Sequence, residues 1–428
     1  MWEAKLSELT VHAGFPLVLH MLAMVHQANG EIEKAIADYR ILMTIGRKSR
    51  LFPCRRRNEG GLLVAVNSRR RASPDAFCLV TREITRIVPS FGGQFVILRR
   101  VKLPFLIDTD TASDDAVALI MALRSPQIQV LAITTVAGNV DVYQASRNAL
   151  YTAELCDSNV PVFAGAEQPL KHAHASAAWF HGRDGLGDHG YAPPRRAPER
   201  QSAPDAIIET IESQPGLVMV TLGPLTNVAL ALQKKPGIAA KVSRCVVMGG
   251  APCCEGNVTP AAEYNIWCDP EAARIVVRSG LPIELVGWHL CRGEAVLNPA
   301  DIQQVLGFGT PVAKFAIECN SRAQQAFLEQ SGEHGISLPD PVAMAIALDP
   351  SIVTSQSEHF VDVETESELT RGMTVVDRLN VAHDERNRGV WAASLAGGHK
   401  AKVFWTIDNV GWKQALYSAL TRSIPAIS

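Results

Sequence analysis

The sequence predicts an α/β fold, a Rossmann-like open sheet that is mainly parallel, with helices on both faces. Three observations predict it. Short apolar runs of strand length recur along the chain from residue 103 onward, and helical patterns lie between most of them. The densest polar cluster also falls directly after the first apolar run, where ligand sites of such sheets lie.

The strand candidates in order are 103–107, 130–134, 160–163, 217–221, 242–248 and 283–286. Segments with helical apolar spacing are 116–123, 144–155, 206–213, 225–233, 271–279 and 342–348. A different texture precedes them. Residues 1–100 are expected to form a poorly organised basic extension, and 101–428 a single catalytic domain. Residues 47–100 hold thirteen Lys or Arg against Glu59, Asp75 and Glu83, whereas the whole chain of 428 residues has a net charge of −2. A basic leader therefore precedes an acidic body. Within the leader only 31–45 has helical spacing. Arg55-Arg56-Arg57 and Arg69-Arg70-Arg71 lack the aromatic interleaving or binding motif that would make nucleic acid an expected partner.

Apolar content of 47% and charged content of 20% are those of a globular protein. The nine cysteines include one adjacent pair, Cys253-Cys254, and no C-x-x-C spacing. Reduced thiols and a cytoplasmic setting are expected. Phe15 to Val25 is apolar but contains His20 and follows Glu3 and Glu8, unlike a secretory signal. No run reaches the ~18 apolar residues of a membrane span.

Chemistry concentrates in Ile107-Asp108-Thr109-Asp110-Thr111-Ala112-Ser113-Asp114-Asp115, four carboxylates between a strand and a helix. Like charges this close need a cation or protons to neutralise them. Hard divalent cations such as Ca²⁺ or Mg²⁺ suit clustered carboxylate oxygens. Helix capping by Asp114 or Asp115 is the plainer reading of either one alone.

Two enzyme classes place D-x-D after a strand. A phosphatase of the haloacid dehalogenase type would use Asp108 as nucleophile and Asp110 as acid. It wants Thr or Val where Ala112 stands, and it does not call for Asp114-Asp115. The spacing D-x-D-x-x-x-D-D resembles the inosine-uridine preferring nucleoside hydrolase family in every acidic position, with Thr111-Ala112 in place of the frequent Pro-Gly. The resemblance runs over roughly 103–425. ITTVAGNV (133–140) resembles the family's second-strand loop, and TLGPLTNVAL (221–230) the segment that offers a backbone carbonyl to the metal. Asn257, Glu263 and Asn265 match a spaced polar trio. Asp340 matches the last metal ligand, although Pro339 precedes it where many members carry His.

The resemblance implies hydrolysis of the N-glycosidic bond of ribonucleosides to free base and ribose. It implies one Ca²⁺ per site, held by Asp108, Asp110, Asp115, Asp340 and the Leu222 carbonyl, with Asp110 as the base that activates water there. Asp114, Asn139, Asn257, Glu263 and Asn265 would hold the ribose. His181, in a segment resembling a loop beside the family's active site, is the candidate for the leaving base, ahead of His289. Trp288 and Trp391 are candidates to stack on it. A homodimer or homotetramer is expected. A nucleoside-binding protein without catalysis on the same scaffold stays open at this point.

Overall fold

A computed structural model describes residues 102–421, together with the strand segments Arg55–Arg57, Leu63–Ala65, Ile84–Pro89 and Phe95–Arg99. The chain divides into two compact units, 1–101 and 102–428. In the first, those segments form two antiparallel strand pairs. The helical pattern expected over 31–45 lies outside the described residues.

In the second unit the strands are β1 (Leu103–Thr109), β2 (Ile128–Thr135), β3 (Val162–Ala164), β4 (Val218–Thr221), β5 (Arg244–Met248), β6 (Ile283–Val286), β7 (Val353–His359), β8 (Val361–Val363), β9 (Thr374–Val376) and β10 (Ala401–Ile407). Eight of them form one sheet in the order β7-β10-β6-β5-β4-β1-β2-β3. All neighbours pair in parallel except β7 with β10. The mainly parallel sheet follows the expectation, and the antiparallel edge adds to it. β7 and β10 were not among the strand candidates. β7 reads VTSQSEH, with little apolar alternation to mark it.

The period of two explains why the sheet is covered on both sides. Phe105 and Ile107 of β1 enter one apolar layer, and Leu106 the other. Val218 and Val220 of β4 alternate with Met219, and Val246 and Met248 of β5 with Cys245 and Val247. Each such buried side chain contributes roughly 1.5–3 kcal/mol relative to exposure. Helices Ser113–Leu123 and Pro339–Leu348 lie in the first layer, and helices Ala203–Ser213, Thr226–Lys234 and Pro270–Val277 in the second.

The strand order fixes the place of the site. The chain runs outward from β1 through β2 to β3, then returns to β4 on the other side of β1 and runs outward again. The order therefore reverses between β1 and β4, and a crevice opens beyond their carboxyl ends. There the Leu222 N–H donates to the Asp108 carbonyl at 2.8 Å.

Candidate active site

The turn after β1 is built around two carboxylates. Asp108 Oδ1 accepts from Thr134 Oγ1 at 2.5 Å and from Asn227 Nδ2 at 2.9 Å, while Oδ2 has no partner. Asp110 Oδ2 accepts from the Asn139 backbone N–H at 2.6 Å, and its Oδ1 has no partner. Two glycines make room for Asp110. A Cβ at Gly138 would lie 2.1 Å from Oδ2, and one at Gly223 would lie 2.7 Å from Oδ1. Neither position tolerates a side chain while Asp110 stays where it is.

Two helix starts meet this turn. Helices Ser113–Leu123 and Pro339–Leu348 pack against each other, and their first turns bring together Asp114, Asp115 and Asp340. Oxygens of the three lie within 4.8 Å of one another, and all three residues are buried. Asp115 is also a cap, as the plainer reading held: its Oδ2 accepts from the Ala112 N–H at 2.9 Å, and its Oδ1 from Thr109 Oγ1 at 2.5 Å. Asp114 Oδ1 has no partner, and no side-chain cap occupies the start of the Asp340 helix.

These groups resist ionisation. Burial, joined by the charge of Asp115, holds Asp110 well above the carboxylate range. Burial and the neighbouring aspartates do the same to Asp340. Burial raises Asp114 and Asp115 to about 6, with the charge of Asp114 adding to the shift of Asp115. Asp108 rises to about 7 by burial alone, against the hydrogen bonds from Asn227 and Thr134. Removing so many carboxylates from water calls for a positive charge among them.

A cleft of about 700 Å³, its open mouth included, lies above this floor. Asp114, Asp340, Asn139, Asn257, Glu263, Asn265, His181 and Leu222 all line it, whereas Asp108, Asp110 and Asp115 are wholly buried and do not. Among these wall residues the polar groups already hold one another. Asn265 Nδ2 donates to the Leu222 carbonyl at 2.8 Å, so two residues assigned to different roles touch directly. Glu263 caps helix Tyr264–Cys268, accepting from the N–H groups of Asn265 at 2.8 Å and Gly250 at 2.7 Å. Burial raises Glu263 to about 7. Asn257 Oδ1 accepts from the Tyr264 N–H at 2.9 Å.

The aromatic candidates separate. Trp288 lines the cleft together with Trp179, Phe180 and Tyr264. Trp391 packs instead with Phe360 and Ala382 in a satellite cluster. His289 is turned away: its Nε2 meets the Phe404 carbonyl at 3.0 Å. His181 stands in the wall, its Nδ1 2.8 Å from Ser113 Oγ and 3.9 Å from Asp114 Oδ1. Burial lowers its pKa to about 4, so the imidazole is neutral at pH 7.

Several residues of the site carried no signal that sequence reasoning used. Asn227 is wholly buried and bonds Asp108, the Thr135 carbonyl and the Ala166 N–H, tying the ends of three strands together. Tyr264 donates its hydroxyl to the Gly138 or Ala175 carbonyl. Gly138 and Gly223 stood inside motifs already singled out, as did Asn227, but only contact across the strands reveals what they do.

The donor set fits a hard divalent cation. Three mutually close buried carboxylates, and unpartnered oxygens on Asp108, Asp110 and Asp114, offer oxygen and no sulfur or nitrogen. Asp108, a candidate nucleophile for a dehalogenase-type phosphatase, is buried, tied at one oxygen and absent from the cleft wall.

Sheet, switch-point crevice and carboxylate floor together define an α/β protein with a buried acidic site. The inosine-uridine preferring nucleoside hydrolase profile matches residues 105–410, and the chain belongs to that family. A pyrimidine-specific ribonucleoside hydrolase, RihA, of Salmonella paratyphi A is 40% identical over 291 residues, which are 67% of this chain and 93% of that protein. A plant nucleoside hydrolase superposes with a TM-score of 0.70 at 32% identity, covering 76% of this chain and all of that one. A purine-preferring ribonucleoside hydrolase from Gardnerella vaginalis gives a TM-score of 0.66 at 30% identity, covering 74% and 98%. The chain is thus an N-glycosyl hydrolase acting on ribonucleosides. Among the described residues no helix is long and apolar enough to cross a membrane.

Proposed function

We propose that hydrolysis here depends on one Ca²⁺ ion and uses Asp110 as the general base. The observation that carries the reading is the convergence of Asp114, Asp115 and Asp340 beside Asp110, buried and, among the described residues, without a compensating cationic side chain. Asp115 and Asp340, with Asp110 and the Leu222 carbonyl, would hold the ion, and Asp114 would reach from it toward the ribose. When bound, the ion neutralises the carboxylates and orients hydroxyl oxygens of the sugar. Asp108, tied at Oδ1 to Thr134 and Asn227, would offer its unpartnered Oδ2 to the same group.

The remaining steps belong to the protein. Asn139, Asn257, Glu263 and Asn265 grip the ribose hydroxyls from the cleft wall. Asp110, held well above the usual carboxylate range by burial and free at Oδ1, takes the proton of the attacking water. Positive charge gathers on the sugar as the bond to the base breaks, and the buried anionic floor favours it. His181 faces the departing base. Being neutral, it gives that base a hydrogen bond rather than a proton.

Similar proteins carry names of both pyrimidine and purine preference, so the substrates to test span both classes. Turnover of a nucleoside panel by the parent chain and by Asp110→Asn tests the reading. Full activity in the variant would remove Asp110 from its role.

A further inference from the structure

Ser113 sits inside the acidic motif at the start of helix Ser113–Leu123, yet its hydroxyl caps nothing there. The Ala112 N–H is taken by Asp115 instead. The Ser113 Oγ reaches across 68 residues of sequence to His181 Nδ1 at 2.8 Å, and this is its one hydrogen bond among the described residues. The residue is wholly buried and firmly held, its carbonyl accepting from Asn320 Nδ2 at 3.3 Å.

That pairing has a definite polarity. If His181 donated from Nδ1, the Ser113 hydrogen would be buried without an acceptor, which costs about 1–3 kcal/mol. If Ser113 donates, its hydrogen is used, and the ring hydrogen sits on Nε2, on the side of the cleft. Nε2 makes no hydrogen bond to the protein among the described residues, and His181 lines the cleft. A competing arrangement is close by. Asp114 Oδ1 is unpartnered and 3.9 Å from the same Nδ1, and would draw a hydrogen onto it.

We infer that Ser113 is a positioning residue that holds His181 in its Nε2–H form, against the pull of Asp114, so that the cleft is offered a hydrogen-bond donor where the base departs. The inference rests on the reading of His181 as the residue that faces the leaving base. As the C1′–N bond breaks, its electron pair goes to the base, and the Nε2–H bond meets the charge that builds there. Ser113 touches neither substrate nor ion. It acts through His181 alone.

Nitrogen-15 spectra of histidine-labelled full-length protein test this directly, with the His181 signals assigned by their loss in His181→Gln. The expected result is a protonated Nε2 and a bare Nδ1 in the parent, and movement of the hydrogen to Nδ1 in Ser113→Ala. A hydrogen on Nδ1 in the parent would overturn the inference. This readout needs no substrate and decides the matter even if the proposed role of Asp110 fails.

Kinetics supply the second arm. Ser113→Ala should lower kcat on the best natural nucleoside by about tenfold to a hundredfold with KM within about twofold. Turnover of 4-nitrophenyl riboside, whose leaving group needs no donor, should change by less than about twofold, and Ser113→Thr should restore most of the nucleoside rate. Equal losses on both substrates would make Ser113 merely structural and overturn the inference. Asp110→Asn, by contrast, should abolish turnover of both, which separates a failure of the base assignment from a failure of this one.

Discussion

Gly138 stands so close to Asp110 that a methyl group in place of its hydrogen would lie 2.1 Å from the Asp110 Oδ2 and 2.8 Å from its Cβ. The same loop donates the Asn139 N–H to that oxygen. β2 thus delivers both a cavity and a hydrogen bond to a residue at the end of β1. Gly138→Ala should displace the carboxylate and lower kcat about a hundredfold, the cost of a misplacement near 1 Å. Circular dichroism should show the fold retained. A variant with parental kcat would mean that the position of Asp110 matters little.

Asp110→Asn keeps the size of the side chain and removes its basicity. Loss of a general base costs roughly 10²- to 10⁴-fold in kcat. Steady-state kinetics with saturating Ca²⁺ should show that loss with KM little changed.

Asn227→Ala removes three hydrogen bonds at once, each of 2.9 Å, and leaves Asp108 and the Thr135 carbonyl short of a partner. Unfolding in urea should show a loss of about 3 kcal/mol or more, since each buried group left unpaired costs about 1–3 kcal/mol. A neutral outcome would show that the strand ends hold without this tie.

The pH dependence of stability should change sign of slope with the ion. Burial raises Asp114 and Asp115 to about 6, and Asp108 and Glu263 to about 7. Unfolded carboxylates titrate near pH 4. Between those values the folded protein binds more protons than the unfolded one, so metal-free stability falls as pH rises from about 4 to 7. The ion competes with those protons, so its stabilising effect should grow over the same window. Thermal melts with chelator and with Ca²⁺, taken at pH 5, 6 and 7, check both directions.

Removing residues 1–100 should leave ribonucleoside hydrolysis unchanged, because every residue of the site lies within the unit 102–428. Loss of activity on truncation would assign the basic extension a part in the enzyme.

Much of the fold was legible because parallel strands buried on both faces announce themselves as apolar runs. β1, β4 and β5 lie where those runs lie. β7 was not legible, for its exposed edge position asks for no apolar alternation. In the site, spacing found Asp108, Asp110, Asp114, Asp115 and Asp340, since D-x-D-x-x-x-D-D is local. It could not show that Asp108 turns toward Thr134 and Asn227, or that Asn265 meets the Leu222 carbonyl. Those contacts join segments tens of residues apart, and nothing in either segment alone names its partner. Ser113 drew no role from its place in the acidic motif, because its partner His181 lies on a distant loop.

On the proposed function, a divalent cation among these carboxylates is needed for cleavage of the N-glycosidic bond. Its most direct test is release of reducing sugar from uridine, cytidine, inosine, adenosine and guanosine, measured before chelation, after it, and after Ca²⁺ is restored. The account predicts ribose from at least one nucleoside, its loss with chelator and its return with Ca²⁺. Release that ignores the chelator would contradict it.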